Sequence, residues 1–358
     1  MQENIKSLPL ETLSERLKTL GVETYRLQQV LQWIYALDIS DFSEMTNLSK
    51  KLREDLSAQF KIERLPIATE QQSLDGTRKY LLRLHDGETV ESVLIPNDGR
   101  LTLCISSQVG CAMACRYCLT GFLGLKRGLT QFEILEQVMA VKRNLQEGEK
   151  ITNIVFMGMG EPMHNLKAVI PAVQILIDPR CLNLSKRKVT VSTSGLVPEM
   201  LEFGKHSDVK LAISLCATTN EIRNVLVPIN RKYPLEVLLK ACQDYPLTPR
   251  GKITMEYVML SGVNDTMEDA QRLTKILARI PCKINLIPFN EFPGSEFKRP
   301  TEEWVRKFQH YLLDHGFQTN IRTSRGSDIL GACGQLKAEM EPKSRPPVKL
   351  PVQNAHPL

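Results

Sequence analysis

The stretch Leu101-Thr-Leu-Cys-Ile-Ser-Ser-Gln-Val-Gly-Cys111-Ala-Met-Ala-Cys115-Arg-Tyr-Cys118 passes from a short apolar run into a loop that holds three cysteines. The run Leu101–Ser106 has the length and composition of a buried strand, and a helix-periodic segment, 131–145, follows the loop. The same alternation recurs downstream. Strand candidates lie at 151–157, 188–193, 209–215, 253–260 and 283–288, with helix candidates at 168–177, 235–245, 267–280 and 302–315. Six such units predict an α/β fold, a parallel sheet with helices outside, arranged as a full or partial (β/α) barrel. On that scaffold reactive groups belong at the C-terminal ends of the strands.

Outward from this core the pattern changes. Residues 66–100 have a period of two, with strands expected at 78–84 and 91–95 and turns at Asp75-Gly76 and Asp86-Gly87, which together form a β lead-in. Residues 1–65 read as a helical accessory module with its own small core. Leu13, Leu17 and Leu20 begin it, then Leu27–Tyr35 and Leu48–Phe60, with Ser14 and Thr46 as turn or cap residues. The cations of Lys50-Lys51-Leu-Arg53 suit either a solvated helix face or a nucleic-acid contact. The tail, 338–358, is rich in proline toward its end and predicts disorder.

Hydrophobic residues make up 42% of the 358 and charged residues 24%, the balance of an ordinary globular protein. No run of about 18 apolar residues suggests a membrane span, and the N-terminus lacks the apolar core of a signal peptide. A cytoplasmic location is expected. Net charge is +6, and residues 1–65 carry nine Lys/Arg against ten Asp/Glu, so the rest of the chain holds the whole excess. That balance permits an anionic partner without identifying one. Nine cysteines without an export signal argue for metal or redox chemistry over a disulfide framework.

Cys111, Cys115 and Cys118 can converge on one inorganic centre. A structural zinc site takes four ligands, usually as two separated CxxC pairs, and no second pair exists here. Three thiolates suit a 4Fe-4S cluster with one iron left open, free to chelate the amino and carboxylate groups of S-adenosylmethionine. Tyr117 can pack near that ligand's adenine. One unit later, Met157-Gly-Met-Gly160-Glu161-Pro162 ends a strand. Its glycines let backbone approach a ligand, and Glu161 can accept from an ammonium group. A plain strand-to-helix turn accounts for the same residues when they are taken alone.

CxxxCxxC followed by a Gly-Glu-Pro turn is similar to the radical S-adenosylmethionine superfamily. More narrowly, Leu103–Cys111, Phe156–Pro162, Val227–Asn230, Tyr257–Leu260, Val263–Asp265, Lys283–Pro288 and Ala332–Leu336 resemble the RlmN family of RNA adenine-C2 methyltransferases. The likeness covers about residues 20–337. It implies a partial (β/α)6 barrel over 101–337 and an accessory domain, expected to touch RNA, over 1–65. The related Cfr-type branch, which methylates C8, tends to carry alanine where this chain has Pro162.

The resemblance also implies roles. Cys333 would take a methyl group from one S-adenosylmethionine. A radical made from a second would activate that methyl group for addition to C2. Cys104 would resolve the resulting cross-link through a transient disulfide with Cys333, and Glu91 would accept the C2 proton. Gly160, Glu161, Ser192, Ser214, Leu215, Cys216 and Asn290 would contact the cofactor. Many relatives have histidine where this chain has Cys216. The Cys333 thiol is expected to have a lowered pKa, with Arg322 and Arg325 near in sequence to supply positive charge. Cys181, Cys242 and Cys282 have no partner spacing and read as structural.

The implied substrates are an adenosine in the peptidyl-transferase region of 23S rRNA and the adenosine 3′ of the tRNA anticodon. An electron donor such as flavodoxin completes the partners, and a monomer is expected. Candidate phosphate contacts are Lys126-Arg127, Lys186-Arg187-Lys188, and Arg322 with Arg325, each of which also suits a solvated surface. Two other functions stand beside the C2 reading: a C8-directed methyltransferase, and an RNA-binding protein with a non-catalytic iron–sulfur cluster.

Overall fold

A computed structural model describes residues 2–341, so most of the tail expected to be disordered lies outside the described residues. The N-terminal module comprises β1 (Glu3–Asn4), α1 (Leu10–Thr19), α2 (Thr24–Leu31), α3 (Lys50–Gln59) and β2 (Phe60–Lys61). The lead-in holds β3 (Ile67–Gln72), β4 (Arg78–Arg83) and β5 (Thr89–Asn97). Then come β6 (Arg100–Cys104), β7 (Gln108–Cys111), β8 (Gly124–Gly128), α4 (Gln131–Arg143), β9 (Asn153–Phe156) and α5 (Leu166–Ile177). The rest is β10 (Val189–Thr193), α6 (Val197–His206), β11 (Lys210–Ser214), α7 (Asn220–Leu226), α8 (Leu235–Asp244), β12 (Ile253–Met259), α9 (Met267–Leu277), β13 (Cys282–Pro288), α10 (Glu302–Asp314) and β14 (Thr319–Ile321).

One ten-stranded sheet organises the molecule, in the order β14-β13-β12-β11-β10-β9-β6-β5-β4-β3. Within it, β6 and β9 to β14 pair in parallel, whereas β3, β4 and β5 continue the sheet in antiparallel register, with Val93 opposite Cys104. The six expected barrel strands are all present. β14 makes a seventh and β3 a third lead-in strand, neither expected from sequence. Three residues are too few to display a period, and β3 is largely exposed, which leaves it no alternation. The order is linear, with β14 and β3 at its two edges, so the barrel is partial.

Period-two alternation decides which side chains meet the helices. Ile154, Val189, Val191, Leu211, Ile213 and Leu286 are buried beneath them, and the residues between point to the concave side. Helix α4 is buried along almost its whole length. Thr130 caps it and Glu133 reaches back, a capping box worth about 0.5–2 kcal/mol.

The module does not have a core of its own. Its apolar residues, such as Leu13, Val30 and Phe60, belong to the same continuous buried cluster as those of α4 and α5. Polar bonds add to the join. The Lys6 ammonium is buried against Glu136 of α4, whose other carboxylate oxygen accepts from Leu65 N–H at 3.0 Å and Arg143 at 2.7 Å. Ser14 and Thr46 do not cap helices. Ser14 bonds back to Leu10 O within α1, and Ser49 caps α3 by accepting from Leu52 N–H.

Candidate active site

The cysteine loop is framed by a small antiparallel pair, β7 with β8, in which Cys111 lies opposite Gly124. Gly110 has φ +78°, and a Cβ there would sit 1.9 Å from Gly124 O, so only glycine allows the strands to meet before the first cysteine. The loop also leans on its surroundings. Arg116 N–H donates to Leu226 O at 3.0 Å and Leu119 N–H to Gly334 O at 2.7 Å. The second bond joins the cysteine loop directly to the loop that carries Cys333.

Cys111, Cys115 and Cys118 line one cavity at the C-terminal ends of the parallel strands. Cys104, Gly160, Glu161, Ser192, Ser214, Asn290 and Cys333 line it too, across more than 200 residues of sequence. Burial pushes the Cys115 thiol well up, and its neighbours Cys111 and Cys118 push it further. Three adjacent thiols whose thiolates would repel one another in an apolar wall gain from exchanging their protons for metal, so the donor set fits a cluster. Among the described residues no such set converges on a single ion. A cluster asks less, since each thiolate binds its own iron.

Several expected cofactor contacts are engaged by protein atoms. Glu161 accepts from Ser194 N–H at 2.7 Å and Oγ–H at 2.8 Å, and from Met163 N–H at 3.1 Å. Burial pushes its carboxyl up, and the Ser194 bonds only partly offset this. Gly160 has φ +99°, and a Cβ there would strike Gln108 at 2.6 Å. Ser192 Oγ donates to Phe156 O at 2.7 Å. Asn290 donates to Cys333 O at 3.0 Å and accepts from Ser324 Oγ, so it holds the Cys333 peptide in place.

Leu215 and Cys216 do not line the cavity. They form its outer support. Cys216 has φ +56°, and its thiol donates to Tyr117 Oη at 3.2 Å. Behind them lies Arg223, fully buried, which donates to Leu215 O, Ser214 O and Ser194 O and to Asn230 Oδ1. It thus ties the ends of β10 and β11 together. Sequence reasoning missed Arg223, and the one available signal was its place just ahead of the Val227–Asn230 motif.

Cys333 and Cys104 face the same cavity with Arg322 beside them. The expected depression of the Cys333 pKa is not found. Burial pushes its thiol up to about 11, Arg322 lowers it only in part, and Glu256 raises it again. Arg325 is not among the main influences on it. The residue nevertheless is exposed and lines the cavity. Cys104 is pushed up to about 12 by burial and then by Cys333, against Arg322.

Glu91 is not part of this cavity. It lines a neighbouring pocket with Lys79, Lys337 and Ala338, behind the chain segment that bears Cys333. Its carboxylate accepts from Lys337 N–H and Ala338 N–H, both at 2.9 Å, and pairs with Lys79 at 3.1 Å. Of the basic pairs, Lys126 binds Glu88 and Arg127 binds Asp86 and Glu133, while Lys186 binds Asp208. Cys181, Cys242 and Cys282 are buried outside the cavity.

Comparison with known proteins agrees with this geometry. Residues 3–62 match the model of the ribosomal RNA large subunit methyltransferase N-terminal domain, and residues 105–274 that of the radical SAM superfamily. The dual-specificity RNA methyltransferase RlmN of Pelobacter propionicus is 53% identical over 96% of this chain and 98% of its own length. That of Geotalea uraniireducens is 52% identical over 94% and 97%. A crystal structure of a radical SAM methyltransferase from Sphaerobacter thermophilus, 42% identical, superposes with a TM-score of 0.86 over 94% of this chain and all of that one. The chain belongs to the RlmN family, the dual-specificity RNA methyltransferases of the radical S-adenosylmethionine superfamily.

Proposed function

We propose that the protein methylates C2 of adenosine in 23S rRNA, and of the adenosine 3′ of the anticodon in tRNA, with Cys333 as the carrier of the methyl group. One observation carries the reading: Cys333 and Cys104 share a single cavity with Cys111, Cys115 and Cys118. C2 of adenine is neither nucleophilic nor acidic, so displacement on a sulfonium cannot methylate it, and radical chemistry is required. Cys111, Cys115 and Cys118 would hold the cluster, which when bound would supply the electron that splits S-adenosylmethionine into a hydrogen-abstracting radical.

The chain's own groups do the rest. Cys333 loses its proton to solvent, and its thiolate takes the methyl group of one S-adenosylmethionine by displacement, with S-adenosylhomocysteine as the leaving group. After hydrogen is removed from that methyl group, its carbon bonds to C2 of a base drawn out of its stack, at a cost of a few kcal/mol, and the radical adduct gives up the C2 proton and one electron, which the cluster would take back. The Cys104 thiolate then attacks the Cys333 sulfur and forms a disulfide that an external thiol reopens, and the carbon leaves with the bonding pair and takes up a proton to become the methyl group of the product. Glu91 enters as proton acceptor only if the segment 337–338 releases its carboxylate. An electron donor such as flavodoxin serves the reduction, and the protein acts as a monomer in the cytoplasm. No helix among the described residues is long and apolar enough to cross a membrane.

Nucleoside mass spectrometry of RNA treated with the reduced protein and S-adenosylmethionine tests the reading. The expected product is 2-methyladenosine. Recovery of 8-methyladenosine would replace this reading with the C8 reaction. An occupied cluster that yields no 5′-deoxyadenosine would replace it with a non-catalytic RNA-binding role.

A further inference from the structure

The cysteine-lined cavity continues downward. A second cavity shares Cys333, Arg322, Glu256 and Asn290 with it and runs along the concave face of the sheet to the starts of the parallel strands. Its walls are polar: Thr102, Thr190, Thr254, Asn285 and Asn320 face into it. A closed barrel fills this space with Val, Ile and Leu, so the open barrel here has kept a channel suited to a polar guest.

Cations ring its far end. Arg100 opens β6, Lys210 opens β11 and Lys283 is the second residue of β13, and all three line the cavity. Arg187 and Lys188 stand close enough to act on Lys210, which burial and then its four cationic neighbours push below the usual lysine range. Unlike Lys186 and Arg322, none of these five has a carboxylate at ion-pairing distance among the described residues.

A second observation lies at the inner end. Glu256 is 5% exposed, and its Oε1 accepts from Asn285 Nδ2 at 3.0 Å. Its Oε2 has no hydrogen-bond partner, and Arg322 stands 4.0 Å away. Buried acceptors are normally satisfied, so this oxygen points to a donor supplied from outside. Lys283 pairs with Thr254 across β13 and β12, which puts Glu256 two residues, or about 7 Å, further up the channel.

We propose that this channel seats the target nucleotide, with its phosphates on Arg100, Lys210 and Lys283 and its exocyclic amine donating to Glu256 Oε2. The inference rests on the adenosine methyltransferase reading and adds how the base enters and is recognised. A 6-amino purine satisfies the Glu256 acceptor, whereas a 6-oxo purine sets two acceptors against each other. The base thus enters from the strand-start side and meets Cys333 from below, while the cysteine loop covers the opposite end of the barrel.

The probe is an RNA anticodon stem-loop with either adenosine or inosine 3′ of the anticodon, added to the full chain with its cluster. Affinity is measured against potassium chloride concentration. Lys210→Ser/Lys283→Ser should weaken binding at least tenfold and flatten the slope of log K against log salt by about 1.5, the loss of two phosphate contacts. Lys205→Ser, whose lysine pairs with Glu202 on the exposed face of α6, should change neither. The wild type should favour adenosine over inosine about tenfold, and Glu256→Gln, of the same shape, should lose that preference. Unchanged affinity and slope in the double variant, or an unchanged preference in Glu256→Gln, overturns the inference alone. A wild type that neither binds nor methylates the RNA overturns the functional reading and the inference with it.

Discussion

The Glu91 carboxylate accepts the Lys337 N–H at 2.9 Å, so a strand of the lead-in grips the chain four residues beyond Cys333. The grip is not isolated. Ser73 Oγ and Leu74 N–H donate to Asp328, Gly326 N–H donates to Asp75, and Glu339 N–H donates to Thr89. Asn290 and Leu119 hold the same segment from the barrel side through Cys333 O and Gly334 O. The antiparallel extension of the sheet thus docks the loop that carries the methyl-accepting sulfur.

Glu91→Ala therefore removes the acceptor for two part-buried N–H groups and leaves Lys79 without its partner, a loss of about 2–4 kcal/mol for the docked loop. Glu91→Gln keeps one acceptor oxygen and loses any capacity to take a proton. If docking is the carboxylate's role, the Gln variant turns over RNA within about threefold of wild type and the Ala variant falls more than a hundredfold. Both variants falling equally would assign Glu91 to proton transfer. Single-turnover rates separate the two.

Arg223 tests the support of the site. Truncation to Ala leaves the carbonyls of Ser194, Ser214 and Leu215 without their donor in a fully buried setting. An expected loss of about 3–5 kcal/mol follows from stranding buried polar partners. Denaturant unfolding measures it. S-adenosylmethionine affinity should fall as well, since Ser194 and Ser214 line the cavity.

The buried Lys6–Glu136 pair joins the module to the barrel. Glu136→Gln should cost about 3–5 kcal/mol, because Lys6 is left charged and buried, whereas Lys6→Met/Glu136→Leu should cost less, about 1–3 kcal/mol, for the buried Leu65 N–H left without its acceptor. Burial raises the Glu136 carboxyl, but Lys6 and Arg143 outweigh it and leave it below its usual 4.5. A depressed carboxyl stabilises the fold above its unfolded value and stops doing so as pH falls through the folded one. The stability gap between wild type and Glu136→Gln should therefore be constant at neutral pH and narrow below about pH 4.5.

How much of this was legible depended on how far apart the meeting residues lie. The six barrel strands and the cysteine triplet follow from patterns within a few residues, and they are where the sequence put them. The approach of Cys333 to Cys104 spans most of the chain, and no period or spacing encodes it; only the family likeness implied it. Arg223 drew no reading from the sequence, because its burial depends on four acceptors, Ser194 O, Ser214 O, Leu215 O and Asn230 Oδ1, brought together from three separate stretches of chain. The Cys333 thiol was misjudged because nearness in sequence revealed Arg322 but not the burial that outweighs it. Glu91 shares the face of β5 that carries Ile95, a residue of the cavity wall, but the 330–338 segment closes over its carboxylate, a separation visible only once that segment was placed.

The most direct test of the central claim is tryptic and nuclease mapping of Cys104→Ala after incubation with S-adenosylmethionine, reductant and RNA. The account predicts a covalent adduct in which Cys333 sulfur is joined through one carbon to C2 of adenosine, and no adduct in Cys333→Ala. Release of methylated RNA by Cys104→Ala at the wild-type rate, or an adduct that persists in Cys333→Ala, would contradict it.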